Sequence, residues 1–151
     1  MLLPPLHYLN AIFYNQRMKT TMELKRTMQQ LIILAAIFGA LGVGIGAFGA
    51  HGLAARLEAN GRMDTFRTAT LYHLIHVLAI LGAAWVSTQF DSQYAIYAGY
   101  AFVVGILLFS GSLYVLALWP GMRWLGPVTP VGGVLMIGGW ATLMIRNVKS
   151  P

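Results

Sequence analysis

The charged residues divide this chain into four long uncharged windows, and this division limits its possible folds more than any other feature. The windows cover residues 27–55, 68–90, 92–122 and 124–145. Each is longer than the roughly 20 residues that an α-helix needs to cross a hydrocarbon core. Apolar residues make up 58% of the sequence and charged residues only 9%, whereas soluble domains are about one-quarter charged. We therefore exclude a water-soluble globule and predict that the chain lies in a lipid bilayer.

The uncharged windows predict helices and not barrel strands, because their apolar residues run continuously instead of alternating. We expect spans at about 31–50, 68–87, 94–118 and 127–145, within a four-span membrane domain at 29–147. Thr129 followed by Pro130 favours a helix start at the last span. The predicted fold class is an all-α integral membrane four-helix bundle, antiparallel and threaded up-down-up-down.

Residues 1–28 are expected to form an N-terminal extension that is interfacial or disordered, since Pro4 and Pro5 interrupt it and it lacks the basic start of a secretory signal. Met18 and Met22 are alternative starts. An even number of spans puts both termini on one side. The terminal segments and the second loop carry six basic residues, against four in the first and third loops, so the positive-inside rule predicts cytoplasmic termini. A start at Met22 would make the counts four and four.

Small residues follow one face of the first span. Ala35, Gly39, Gly42, Gly46 and Gly49 recur at steps of four and three, which predicts a face that meets another helix. The other glycines assigned to helix packing are Gly105 in the third span and Gly132 and Gly139 in the fourth. Close backbone approach through small residues is how helices associate in lipid.

Alternating helix directions predict that polar side chains gather on one side of the membrane. This candidate polar pocket consists of His51, His73, His76, Ser110, Ser112, Tyr114 and Thr129. His76 lies about 12 Å along its helix, well below the rim. Ionisable groups at such depth suggest a proton relay, ion or metal ligation, or haem ligation.

Structural roles compete with these functional ones. A neutral histidine can tie two helices together through a hydrogen bond, and Ser110 and Ser112 can bond the preceding helical turn. We expect no metal site, because the sequence has no cysteine and the spans have no Asp or Glu to join the histidines. A haem held by His51 and His76 stays open as an alternative.

No catalytic or phosphate-binding motif is present, so we expect a protein that is not an enzyme. The net charge of +6 comes from basic clusters that flank the apolar windows. Phospholipid headgroups are therefore the expected partners of these residues, and nucleic acid is not.

Four sequence strings carry a family resemblance. GAFGAHG at 46–52, YHLIH at 72–76, FSGSLY at 109–114 and TPVGG at 129–133 resemble the YgdD-like family of small inner-membrane proteins, which includes the eukaryotic transmembrane protein 256. The match covers about residues 30–146. His51 and His76 match histidines of the family, whereas His73 stands where the bacterial pattern often has Gln. The resemblance implies a four-span inner-membrane protein without an established activity.

The leading hypothesis is a non-enzymatic bundle that acts as a homo-oligomer or as an accessory subunit of a larger membrane complex, without a cofactor. A second hypothesis is small-molecule or ion transport through the polar pocket around His51 and His76. A third is a haem or quinone site in electron transfer.

Overall fold

The protein is helical throughout the part that the structure describes. The computed structural model describes residues 6–90 and 92–147, with side chains described for 12–90 and 92–144. The helices are α1 (Leu6–His51), α2 (Ala54–Ala59), α3 (Met63–Gln89), α4 (Gln93–Leu118) and α5 (Val128–Asn147), with a 3₁₀ turn at Arg123–Leu125. Helices α1, α3, α4 and α5 are long and apolar enough to cross a membrane. This confirms the predicted all-α fold with four spans.

Helix α1 extends far beyond the first predicted span. Its 46 residues correspond to about 69 Å at 1.5 Å per residue, more than twice a hydrocarbon core of about 30 Å. Residues 6–28, expected as an interfacial or disordered extension, therefore continue the helix of the first span without a break. Their location at an interface stays a prediction, and residues 1–5 lie outside the described residues.

The two central helices are α3 and α4, which pack against each other, while α1 packs mainly on α3 and α5 mainly on α4. In the most apolar stretch of α3 and of α4, 44% of the residues are buried, against 17% in α1 and in α5. Most of the surface of α1 and of α5 is therefore not covered by the other helices.

The small-residue face of α1 lies directly on α3. A Cβ placed on each glycine would meet an α3 side chain, and the partners run backwards along α3: Gly39 faces Val77, Gly42 faces Leu74, Gly46 faces Thr70 and Gly49 faces Phe66. This order shows that α1 and α3 are antiparallel. At Gly42 and Gly49 the contacts are so close that a Cβ would overlap its α3 neighbour, which is the close approach that small residues permit.

Glycines also lie at the contact between α4 and α5. Gly105 lies against Met136, Gly132 against the backbone of Phe109, and Gly139 against the ring of Phe102. At Gly132 the two helices approach so closely that main chain meets main chain. The structure thus puts all seven glycines assigned to packing at helix contacts.

The first loop is fixed to the end of α4. Leu57 of α2 is completely buried beside Phe66 and Ala117. The Asn60 side chain donates from Nδ2 to the carbonyl oxygens of Ala117 at 3.1 Å and Leu118 at 3.4 Å. These carbonyls end a helix and have no partner within it, so Asn60 both caps α4 and holds the loop in place.

Candidate functional site

His76 is a buried link between α3 and α5. Its Nδ1 donates to the carbonyl oxygen of Tyr72 at 2.8 Å, and its Nε2 accepts from the Trp140 Nε1–H at 3.4 Å. These partners assign a neutral imidazole with its proton on Nδ1. Both ring nitrogens are therefore occupied, and neither is left for a ligand.

Aromatic rings surround this imidazole. Tyr72 stacks on it with 6.0 Å between ring centroids, and Phe102 and Trp140 lie at 5.6 Å and 6.3 Å. Phe102 and Trp140 also contact each other at 5.1 Å. The imidazole is therefore enclosed by aromatic rings of α3, α4 and α5.

His73 begins a directed chain of hydrogen bonds. Its Nδ1 lies 3.3 Å from the Tyr114 hydroxyl, which donates to Thr70 Oγ1 at 3.3 Å, and Thr70 donates to the Phe66 carbonyl oxygen at 3.1 Å. His73 Nε2 is also buried, and it has no hydrogen-bond partner among the described residues.

Ser112 and Ser110 differ in their hydrogen bonding. Ser112 donates to the Phe109 carbonyl oxygen at 2.9 Å and shares a 2.7 Å hydrogen bond with Thr129, which joins α4 to α5. Ser110 is completely buried, and its Oγ has no partner within the described part of the chain. Ser112 is thus a structural link, whereas Ser110 is a buried polar group without one.

His51 does not join the other histidines. It ends α1 and is exposed. Gly39 faces Val77, so His76 lies near the level of Gly39, and His51 is twelve positions further along α1, or about 18 Å. One iron cannot be ligated by both histidines at that separation, which corrects the expectation that such a haem site is geometrically possible.

The candidate polar pocket is therefore three separate links and not one site. They are His73–Tyr114–Thr70, His76–Trp140 and Ser112–Thr129. Among the side chains described at 12–90 and 92–144, no group of three His, Asp or Glu residues lies close enough to hold a metal ion. Chemically, the arrangement joins helices in pairs, and two of its buried polar atoms, His73 Nε2 and Ser110 Oγ, have no hydrogen-bond partner among the described residues.

The sequence did not predict two hydrogen-bonding partners of the histidine links, Thr70 and Trp140. Thr70 has the same local pattern as other threonines that bond a carbonyl of their own helix. Trp140 carried a usable signal: tryptophan prefers the membrane interface, yet Trp140 lies 12 residues past the start of α5 at Val128. A tryptophan at that depth needs a partner for its N–H, and His76 provides it.

The His76–Trp140 hydrogen bond is expected to appear as a coupling in stability. Trp140→Phe and His76→Leu each break the bond, so the double variant should lose less stability than the sum of the two, by about 0.6 kcal/mol and not above about 1.7 kcal/mol. The measurement is unfolding of the purified protein in mild detergent. Trp85→Phe, on the exposed face of α3, is the control and should show no coupling to His76→Leu. Additive losses for His76 and Trp140 would contradict the assigned bond.

Comparison with known proteins supports the resemblance in the sequence strings. Residues 45–133 match the family described as "Protein of unknown function (DUF423)". The chain is 43% identical over 122 residues to the UPF0382 membrane protein SERP0230 of Staphylococcus epidermidis, covering 81% of this chain and 98% of that protein. It is 39% identical to the UPF0382 inner membrane protein YgdD of Escherichia coli, covering 82% and 92%.

The similarity extends to a eukaryote. The chain is 37% identical over 116 residues to the UPF0382 membrane protein C1782.12c of Schizosaccharomyces pombe, covering 74% of this chain and 96% of that protein. No solved structure matches the chain. The relatives carry names that state a membrane location and no activity.

Proposed function

Since this chain belongs to the DUF423 family of UPF0382 membrane proteins, we propose that it is a non-enzymatic membrane protein that acts by association, as a homo-oligomer or as an accessory subunit of a larger membrane complex. We also propose an inner-membrane location with cytoplasmic termini. The excess of basic residues in the terminal segments and the second loop, six against four, supports that orientation.

The outer face of α1 carries this proposal. Ala36, Ala40 and Gly44 recur at four-residue steps and are exposed, while the glycines that face α3 form a different face of the same helix. A Cβ placed on Gly44 would meet nothing within 4 Å. Because such spacing permits close approach of two helices in lipid, we assign this second face to a helix from another molecule.

The polar residues support association over transport or electron transfer. A transport pocket around His51 and His76 needs these side chains to converge, whereas His51 is exposed at the end of α1 and His76 is bonded to Trp140. The links at His76 and at Ser112 tie helices together, which is the role that polar groups commonly have in membrane bundles.

Single cysteines test the association directly, because the natural sequence has none. We expect Gly44→Cys and Ala40→Cys to form a disulfide-linked dimer on mild oxidation in native membranes, since a matching α1 would place two copies close together. Leu107→Cys is the matched control: Leu107 is 56% exposed on α4, so its cysteine meets another copy only by chance collision.

The outcome distinguishes the two forms of association. Crosslinking at positions 40 and 44 well above that of Leu107→Cys supports a homo-oligomer. A membrane partner that copurifies with the natural chain and is lost in Gly44→Leu supports an accessory subunit. A protein that crosslinks no better than the control, and that native mass spectrometry shows as a bare monomer, would contradict the proposal.

A further inference from the structure

An open groove of about 550 Å³ lies between α1, α2 and α3. Its α1 wall includes Gly46, Gly49 and Ala50, whose small size leaves the space open. The opposite wall consists mainly of apolar side chains of α3, together with Thr70 and Arg67. The groove is separate from the outer small-residue face of α1, because Ala36, Ala40 and Gly44 do not line it.

Between Arg67 and Leu78, the groove has about the length of one membrane leaflet. Its α3 wall begins at Met63 and continues through Arg67, Leu71 and Ile75 to Leu78. The 11 helical steps from Arg67 to Leu78 correspond to about 16 Å at 1.5 Å per residue, close to half of a hydrocarbon core of about 30 Å. An acyl chain that lies parallel to α3 would therefore be in contact with apolar side chains along a full leaflet.

One charge of each sign lines the groove, and both lie at the same end. Glu58 comes from α2, and Arg67 comes from the first turns of α3. Arg67 contacts Asp64 at 3.6 Å, but the two side chains are 72% and 97% exposed. Such an exposed pair is weak, and a guanidinium has five N–H donors, so Arg67 retains donors for an anion.

We propose that this groove binds a phospholipid whose headgroup carries both a phosphate and an ammonium group, as phosphatidylethanolamine does. Arg67 binds the phosphate, Glu58 binds the ammonium, and an acyl chain lies along Leu71, Ile75 and Leu78. Guanidinium and phosphate form strong charge-assisted hydrogen bonds. The Glu58 carboxylate selects against a purely anionic headgroup, because it would repel a second negative charge.

Lipid competition tests the proposal. The purified full chain is delipidated, mixed with equal amounts of phosphatidylethanolamine and phosphatidylglycerol of identical acyl chains, and analysed by native mass spectrometry. We expect phosphatidylethanolamine to be retained about two- to fivefold more than phosphatidylglycerol, within the range for an exposed ion pair. Glu58→Gln should remove this preference, and Arg67→Gln should lower the retention of both lipids. Asp64→Asn, which also removes one acidic charge but does not line the groove, should keep the preference.

A space-filling variant tests the groove itself. Ala50 is exposed and lines the cavity, so Ala50→Phe should reduce the retention of both lipids without lowering thermal stability. Equal retention of the two lipids by the natural chain, or a preference that survives Glu58→Gln, would overturn the proposal. So would unchanged retention in Ala50→Phe. The result is independent of the proposed association, because crosslinking at Gly44→Cys does not involve the groove.

Discussion

Gly132→Ala is expected to cause a large loss of stability for the addition of one methyl group. Its Cβ would lie 2.9 Å from both the Leu108 carbonyl carbon and the Phe109 Cα, and closer still to the Phe109 nitrogen. These are main-chain atoms of α4, so no side-chain rotation relieves the overlap and the helices must separate. We expect a loss of about 3 kcal/mol, the upper end of the usual cost of overpacking. The loss of stability is measured by unfolding the protein in mild detergent and monitoring the decrease in helical circular dichroism.

Gly138→Ala is the matched control on the same helix. A Cβ on Gly138 would meet nothing within 4 Å, and alanine is the better helix former of the two. This variant should therefore be as stable as the natural chain or more stable. If the Gly132→Ala and Gly138→Ala variants have the same free energy of unfolding, α4 and α5 do not approach as closely as the contacts of Gly132 indicate.

The spans and the glycine faces could be predicted because both depend on properties that a sequence states directly. A run of uncharged residues longer than a hydrocarbon core marks a helix in lipid. The spacing of Gly39, Gly42, Gly46 and Gly49 marks one helical face, and the structure puts that face on α3. Their partners on α3 are side chains of different sizes, from Thr70 to Phe66, which no comparable pattern identifies.

The extent of α1 could not be predicted from hydropathy. A change from apolar to charged residues marks the limit of the hydrocarbon core, but it does not end a helix. Lys, Arg, Glu, Gln and Met, which are frequent at 16–30, are good helix formers. The helix therefore continues from Leu6 to His51, although the charged residues at 17–26 fall outside the first predicted span.

The polar pocket was predicted from helix direction and depth, and neither determines which way a side chain points. His51 ends α1, whereas His73 and His76 lie one turn apart on α3, where His73 contacts Tyr114 and His76 contacts Trp140. Which way a side chain points depends on how the helices are rotated against each other. Thr129 shows a similar limit: its position before Pro130 favours a helix cap, yet its hydroxyl is bonded to Ser112.

Gly49→Leu is expected to have the second large effect, because Gly49 is in close contact with an almost fully buried aromatic ring. A Cβ on Gly49 would lie 2.6 Å and 2.9 Å from Cζ and Cδ1 of Phe66. Phe66 is 3% exposed and packs beside Leu57 and against the Tyr114 ring at 5.1 Å. We expect a loss of about 3 kcal/mol from overpacking, measured by unfolding in mild detergent.

The double variant Gly49→Leu with Phe66→Ala tests whether the loss of stability comes from the contact with Phe66 or from placing a leucine on α1 at all. Removing the ring creates the space that the new side chain fills, so the double variant should lose clearly less stability than the two single changes together. Gly44→Leu, at an open position of the same helix, should leave the unfolding of the monomer unchanged while it abolishes crosslinking at Ala40→Cys. Additive losses at positions 49 and 66 would mean that α1 and α3 meet elsewhere.

The contact at Gly49 also bears on the polar links. Because Phe66 contacts Tyr114, a displaced Phe66 ring should disturb the His73–Tyr114–Thr70 hydrogen bonds. The small size of residue 49 therefore preserves the hydrogen bonds between α3 and α4 as well as the packing of α1.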